Sequence, residues 1–219
     1  MGKSILTNTQ EKVLDLLSQD PTFGKYFYFT GGTALAHYYL QHRLSDDLDF
    51  FSKDEIDPIW LNTIAQKIKN KIRARKIDLE QSFNRNLVFF TLPRETLKTE
   101  FTYFPMTSID SPKKIDGLLV DSPVDIAVNK FFAIYQKPSA KHFIDLFLIL
   151  DKGYLTWENL LKLSRLKFDI SIDPIQLGSQ LLLSQTLHDE PKMLIPLTDK
   201  KWRNYFTQKA KGLKGDIFF

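Results

Sequence analysis

The chain has 219 residues, 43% hydrophobic and 26% charged, which is the balance of a folded globular protein and excludes a disordered one. It contains no cysteine, so a disulfide framework and thiolate metal sites are excluded and a reducing compartment is expected. The formal charge of +4 leans towards polyanionic partners, and the basic residues are clustered. Six lie between Ala65 and Lys76 with no acid among them, and seven lie between Lys192 and Phe219 against Asp199 and Asp216. Each cluster reads either as a solvated face and tail or as an electrostatic dock for nucleic acid.

In chain order, the opening MGKSILTNTQEKVLDLLSQ lacks the long apolar core of a signal peptide. No apolar run reaches the roughly 18 residues that span a bilayer, so a cytoplasmic protein without a membrane segment is expected. Val13, Leu16 and Leu17 predict a helix over Thr9 to Ser18, with Thr7 or Thr9 as its cap. Asp20-Pro21 and Gly24 break it, and Lys25 to Thr30 reads as an aromatic strand. Gly31-Gly32 then opens a helix of about two turns over Thr33 to Leu40. Leu48 to Phe51 is the next strand. Pro58 opens a longer helix to about Lys76, with Ile64, Ile68 and Ile72 on its buried side.

The pattern then turns extended. Asp78 to Phe83, Leu87 to Leu92 and Leu97 to Phe104 are expected as successive strands, with turns at Asn84-Arg85-Asn86 and Pro93-Arg94. In the third, alternation puts Lys98, Glu100, Thr102 and Phe104 on one face. Leu118 to Val120 is a short last strand. Helices follow over Val124 to Gln136, Lys141 to Leu150, Trp157 to Leu166 and Pro174 to Ser184. The expected architecture is α+β: a domain over residues 1–120 with a mixed sheet and flanking helices, then a helical domain over 121–219.

The chemistry concentrates between Tyr26 and Ser52. Asp47 and Asp49, at i and i+2 on a strand, point to one face and stand about 6–7 Å apart at Cα, a spacing that can share one or two magnesium ions. The alternative is a surface strand with exposed acids. Gly31, Gly32 and Thr33 follow a strand, open a helix and precede the acids, so they form either a tight turn with a cap or a phosphate cradle. Glu100 is the candidate third carboxylate, for metal ligation or deprotonation of an acceptor; otherwise it is an exposed acid paired with Lys98. Asp145 sits in a helix apolar nearly all round and calls for a partner, either Lys130 on the preceding helix or Lys141 one turn upstream. That pair either fixes helix packing or holds a lysine near a nucleotide's phosphates. The four histidines lack metal-ligand spacing, and neither a nucleophile elbow nor a Walker-type loop is present.

GGTALAHYYLQHRLSDDLDFF closely resembles the opening motif of the AbiEii/AbiGii toxin family of nucleotidyltransferases, within the DNA polymerase β-like superfamily. The superfamily pattern falls on Gly31, Gly32, Asp47 and Asp49, and the family's own embellishment on Thr33, His42, Arg43 and Ser45. A later motif, a helical lysine followed by an Asp-Leu helix, falls on Lys130, Lys141, Asp145 and Leu146, with His142 where the family carries an acid. The resemblance spans roughly residues 25 to 150. It implies an NTP-dependent, metal-dependent enzyme that moves a nucleoside monophosphate to an acceptor hydroxyl and releases pyrophosphate. It also implies a two-metal Mg2+ site, with Mn2+ as the alternative, on Asp47, Asp49 and Glu100. Gly31, Gly32 and Thr33 would hold the triphosphate, and Lys130, steadied by Asp145, would contact phosphate. The implied partners are NTP, a tRNA or other RNA acceptor and an antitoxin protein. Two other readings stand beside it. One is a catalytically weak nucleotide- or RNA-binding module of the same fold, and the other is a protein-interaction role.

Overall fold

The computed structural model describes residues 5–213. They form two compact units: residues 5–107 with 111–122, and residues 108–110 with 123–213.

The first unit is built on a seven-stranded mixed sheet of order β3-β4-β5-β2-β1-β7-β6. Its strands are β1 (Phe27–Thr30), β2 (Leu48–Ser52), β3 (Lys76–Ser82), β4 (Arg85–Thr91), β5 (Thr96–Tyr103), β6 (Lys113–Ile115) and β7 (Leu118–Val120). Strands β2 and β5 run parallel at its centre, as do β1 and β7, while the other neighbours are antiparallel. The predicted alternation of β5 is present: Leu97, Thr99 and Phe101 are buried on one face, and Lys98, Glu100 and Thr102 share the other.

Three helices belong to this unit besides the glycine turn: α1 (Asn8–Ser18), α2 (Pro21–Tyr26) and α4 (Pro58–Ile72). One sheet face is closed by an aromatic cluster. Phe23 of α2 packs edge-on to Phe50 at 5.1 Å, and Trp60 of α4 stacks on Phe27 at 4.7 Å. Phe50 also meets Phe29 and Phe101 at 5.4 and 5.2 Å. Burying each such ring contributes roughly 1.5–3 kcal/mol, so this face is the mechanical base against which the opposite, polar face is held.

Several boundaries differ from the sequence expectation. Pro21–Tyr26 is helical where a break and a strand are expected, because the Asp20 side chain caps the Phe23 amide and Pro21 is preset for the first helical position. The helix α4 stops at Ile72 and not near Lys76, since Arg73 adopts a left-handed conformation at φ 57°. The turn after β1 begins as α3 (Gly31–Ala34) and widens into a π-helical turn over Leu35–Leu40, ended by left-handed Gln41. Arg85 is the first residue of β4 and not a turn residue, and β6 goes unforeseen.

The second unit is helical: α5 (Pro123–Gln136), α6 (Ala140–Asp151), α7 (Trp157–Phe168), α8 (Pro174–Leu182) with a 3-10 turn (Leu183–Gln185), and α9 (Asp199–Gly212). Its core holds Phe143 against Trp202 and Phe206, with Phe131 edge-on to Trp157. Basic helix α9, taken from the sequence only as a charged segment, supplies Trp202 and Phe206 to that core; the last six residues of the segment lie outside the described residues. Among the described residues no helix is long and apolar enough to cross a membrane.

Candidate active site

The carboxylates lie on the polar face of the first unit's sheet. Asp49 is in register with Thr30 of β1 on one side and with Glu100 of β5 on the other. Register partners on neighbouring strands project their side chains to the same face, so Asp49 and Glu100 are side by side. Asp47 immediately precedes β2, beside Lys98 two residues before Glu100.

The backbone around Asp49 has room for nothing larger than glycine. Gly31 has φ +76°, and a Cβ there would lie 2.1 Å from Asp49 Oδ2. A Cβ on Gly32 would lie 2.3 Å from Arg43 Nη2 and 3.1 Å from Ser45 Oγ. Arg43 is buried, donates from Nη1 to the Leu44 carbonyl at 2.9 Å, and fills the space that Gly32 leaves. Thr33 is fully buried and donates its hydroxyl to the Asp47 carbonyl, so that hydroxyl is turned inward and not towards a ligand.

Gln10 on α1 has no place in the sequence reading of the site, yet it holds the loop before the acids. Its amide donates to the carbonyls of Ser45 and Asp46 at 2.9 and 3.1 Å. Its own carbonyl completes a capping box by accepting from the Thr7 amide at 2.9 Å. The signal was present as Thr7-Asn8-Thr9-Gln10, a Thr with Gln three residues later.

Each outer acid is held by a cation. Lys98 Nζ lies 2.8 Å from Asp47 Oδ2, so the partner of Lys98 is Asp47 and not Glu100. Glu100 is gripped by both prongs of Arg85, Nε to Oε1 at 2.8 Å and Nη2 to Oε2 at 2.7 Å, and accepts from Thr102 Oγ1 at 2.8 Å. Burial alone would raise the Glu100 carboxyl, but Arg85, Thr102 and the charge of Lys98 outweigh it and hold the group below its usual range. Arg85 is pushed up in turn by Glu100. Burial pulls Lys98 down, and Asp47, with Asp49 and Glu100 beyond it, more than compensates. Among the described residues no three acids or histidines are drawn together as a metal cluster, since Asp47 and Glu100 are turned onto these cations.

The donor chemistry nevertheless suits a hard divalent ion: carboxylate oxygens on adjacent central strands, with a glycine backbone close above one of them. In the second unit Lys130 Nζ lies 2.9 Å from Asp145 Oδ2, so the buried aspartate takes Lys130 as its partner and not Lys141.

A sequence model described as nucleotidyl transferase AbiEii toxin, type IV toxin–antitoxin system, matches residues 15–215. The chain belongs to the AbiEii family. An uncharacterized protein of Aquifex aeolicus (strain VF5) is 34% identical to this AbiEii member over 144 residues, which is 65% of this chain and 66% of that protein. The match therefore spans just under two thirds of that relative's length. The fold is shared with JHP933 from Helicobacter pylori, at TM-score 0.61 and 16% identity over 95% of this chain and 90% of that one. It is also shared with MenT4, the nucleotidyltransferase toxin Rv2826c of Mycobacterium tuberculosis H37Rv, at TM-score 0.58 and 17% identity over 93% and 81%. The shared fold agrees with the seven-stranded mixed sheet and its helices.

Proposed function

We propose that this chain is a cytoplasmic nucleotidyltransferase that moves a nucleoside monophosphate from NTP to an acceptor hydroxyl, with tRNA or another RNA as acceptor. The observation that carries the reading is the pairing of Asp49 with Glu100 on adjacent strands under the Gly31 turn. Membership of the AbiEii toxin family supports a role as the toxin of a toxin–antitoxin pair.

Asp47, Asp49 and Glu100 are the residues that would hold Mg2+, or Mn2+ in its place. The bound metal would neutralise charge on the triphosphate during in-line displacement. The backbone amides of Gly31 and Gly32 would hold the triphosphate at the start of the turn, the space beside the two glycines being taken by Asp49 and Arg43. Glu100 would accept the acceptor's proton, and Lys130, oriented by Asp145, would bind phosphate. The basic run on and after α4 and the basic helix α9 give an RNA backbone cations to neutralise.

Incubation with each labelled NTP and Mg2+, against total RNA and total protein, tests the reading. Incorporation into RNA that Asp49→Asn abolishes in a folded protein supports it; label transfer unaffected by that substitution refutes it. A catalytically weak binding module is the second reading, favoured by His142 at the start of α6. It predicts NTP binding with no product over long incubation.

A further inference from the structure

The two cations on the polar face are assigned no role by the family pattern or by the proposed transfer. Arg85 differs in exposure from the acid it holds: its side chain is 54% exposed, whereas the Glu100 side chain is 9% exposed. A guanidinium in that position leaves at little cost to itself, but its departure would strand a buried carboxylate, which is expensive unless another cation arrives. Arg85 and a divalent ion therefore compete for the same oxygens. The sum of charge makes the same point. Asp47, Asp49 and Glu100 face Lys98 and Arg85, so the site is close to neutral as it stands. Two divalent ions added without displacing either residue would leave a strong positive excess, which only a polyanion balances.

We propose that Arg85 is a substrate-binding residue with two alternative partners. Without metal it holds Glu100; once a divalent ion takes Glu100, the freed guanidinium binds a phosphate oxygen of the substrate. Bidentate pairing with phosphate is what the planar guanidinium is suited to, and Lys98, a single-point donor on Asp47, does not replace it. Metal loading is thereby coupled to substrate binding: Glu100 passes from Arg85 to the metal, and the exposed guanidinium is held by solvent until phosphate arrives. This rests on the proposed metal-dependent transfer. The phosphate belongs either to the NTP or to the acceptor backbone, and the two sources are separable.

The test is Mn2+ binding to the full chain by electron paramagnetic resonance, a readout independent of turnover. Arg85→Gln, which removes the competitor, should bind Mn2+ about ten-fold more tightly, the effect of losing one charge-assisted pair. Arg85→Lys should fall between it and the wild type, with melting temperature as the check on folding. In the presence of Mn2+, Arg85→Gln should also bind either tripolyphosphate or a short single-stranded oligoribonucleotide more weakly. Loss in the first arm assigns the phosphate to NTP and loss in the second to the acceptor. Mn2+ affinity that is unchanged or weaker in Arg85→Gln, or no loss in either phosphate arm, overturns the proposal. Asp49→Asn separates the two levels: if it retains wild-type Mn2+ binding, the metal reading itself fails whatever Arg85 does.

Discussion

Gly31 and Asp49 stand so close that a methyl group on the glycine would sit 2.1 Å from the aspartate's Oδ2. The contact joins the end of β1 to the start of the acid strand, and it is closed on both counts that select glycine, space and a φ of +76°. Gly31→Ala should cost on the order of 1–3 kcal/mol of stability from backbone strain alone, and should displace Asp49. Denaturant unfolding of Gly31→Ala in wild-type and Asp49→Ala backgrounds checks this. The penalty should shrink in the Asp49→Ala background, because the clash with the carboxylate is gone while the strain and a tight 3.0 Å contact with the residue-49 Cβ remain.

Gln10 carries two duties that substitution can separate. Gln10→Ala removes the side-chain half of the α1 capping box, while the Thr7 hydroxyl still accepts from the residue-10 amide, and both hydrogen bonds to the Ser45-Asp46 loop, with an expected loss of about 1–3 kcal/mol. Gln10→Glu keeps an acceptor for the Thr7 amide but sets a carboxylate against two carbonyls. It should retain helix α1 by hydrogen exchange while losing protection in the loop. Equal protection of the loop in both variants and the wild type would show that Gln10 does not hold it.

The Arg85–Glu100 pair gives the protein an acid-side dependence. The Glu100 carboxyl in the folded chain lies below its ordinary value of 4.5. Its contribution is therefore fully present above that value and is lost as pH falls through the lower, folded one. In thermal melts from pH 7 downwards, wild type should lose more stability below about pH 4.5 than Glu100→Gln does. Parallel profiles would rule out Glu100 as a source of the dependence.

In the helical unit, Asp125 at the start of α5 accepts from Lys167 of α7 and from the amides of Ile109 and Asp110 at 3.0 and 2.9 Å. Both side chains of the ion pair are essentially excluded from solvent. Asp125→Ala should cost about 3–5 kcal/mol, the range for breaking a buried pair. Lys167→Met should cost less, because the two amides still reach the carboxylate. Equilibrium unfolding of the two variants ranks them; a larger loss for Lys167→Met would contradict this ordering.

Local pattern carried much of the fold. The β5 alternation, the Ile64-Ile68-Ile72 stripe and the helices opened by Pro58, Pro123 and Pro174 were legible because each depends on residues a few positions apart, whereas the helix opened by Pro21 was not. Helix α9 was missed because its polar side chains outnumber Trp202 and Phe206, which are recognisable as core only once Phe143 is packed against them. Among the candidate site residues, the glycines and the Asp47/Asp49 pair stood out by spacing, and Glu100 by alternation.

What the sequence determined by itself was which residue types can do the chemistry and which face of their own strand they occupy, since the two-residue period of a strand is a local property. The partners were decided only in three dimensions. Arg85 lies fifteen residues before Glu100 and Lys98 fifty-one after Asp47, and strand register alone brings each pair within 3 Å. No propensity specifies a register across separate strands. It is set by the aromatic face beneath, where Phe29, Phe50 and Phe101 must pack together, and in packing they bring Asp49 beside Glu100 on the other side of the sheet.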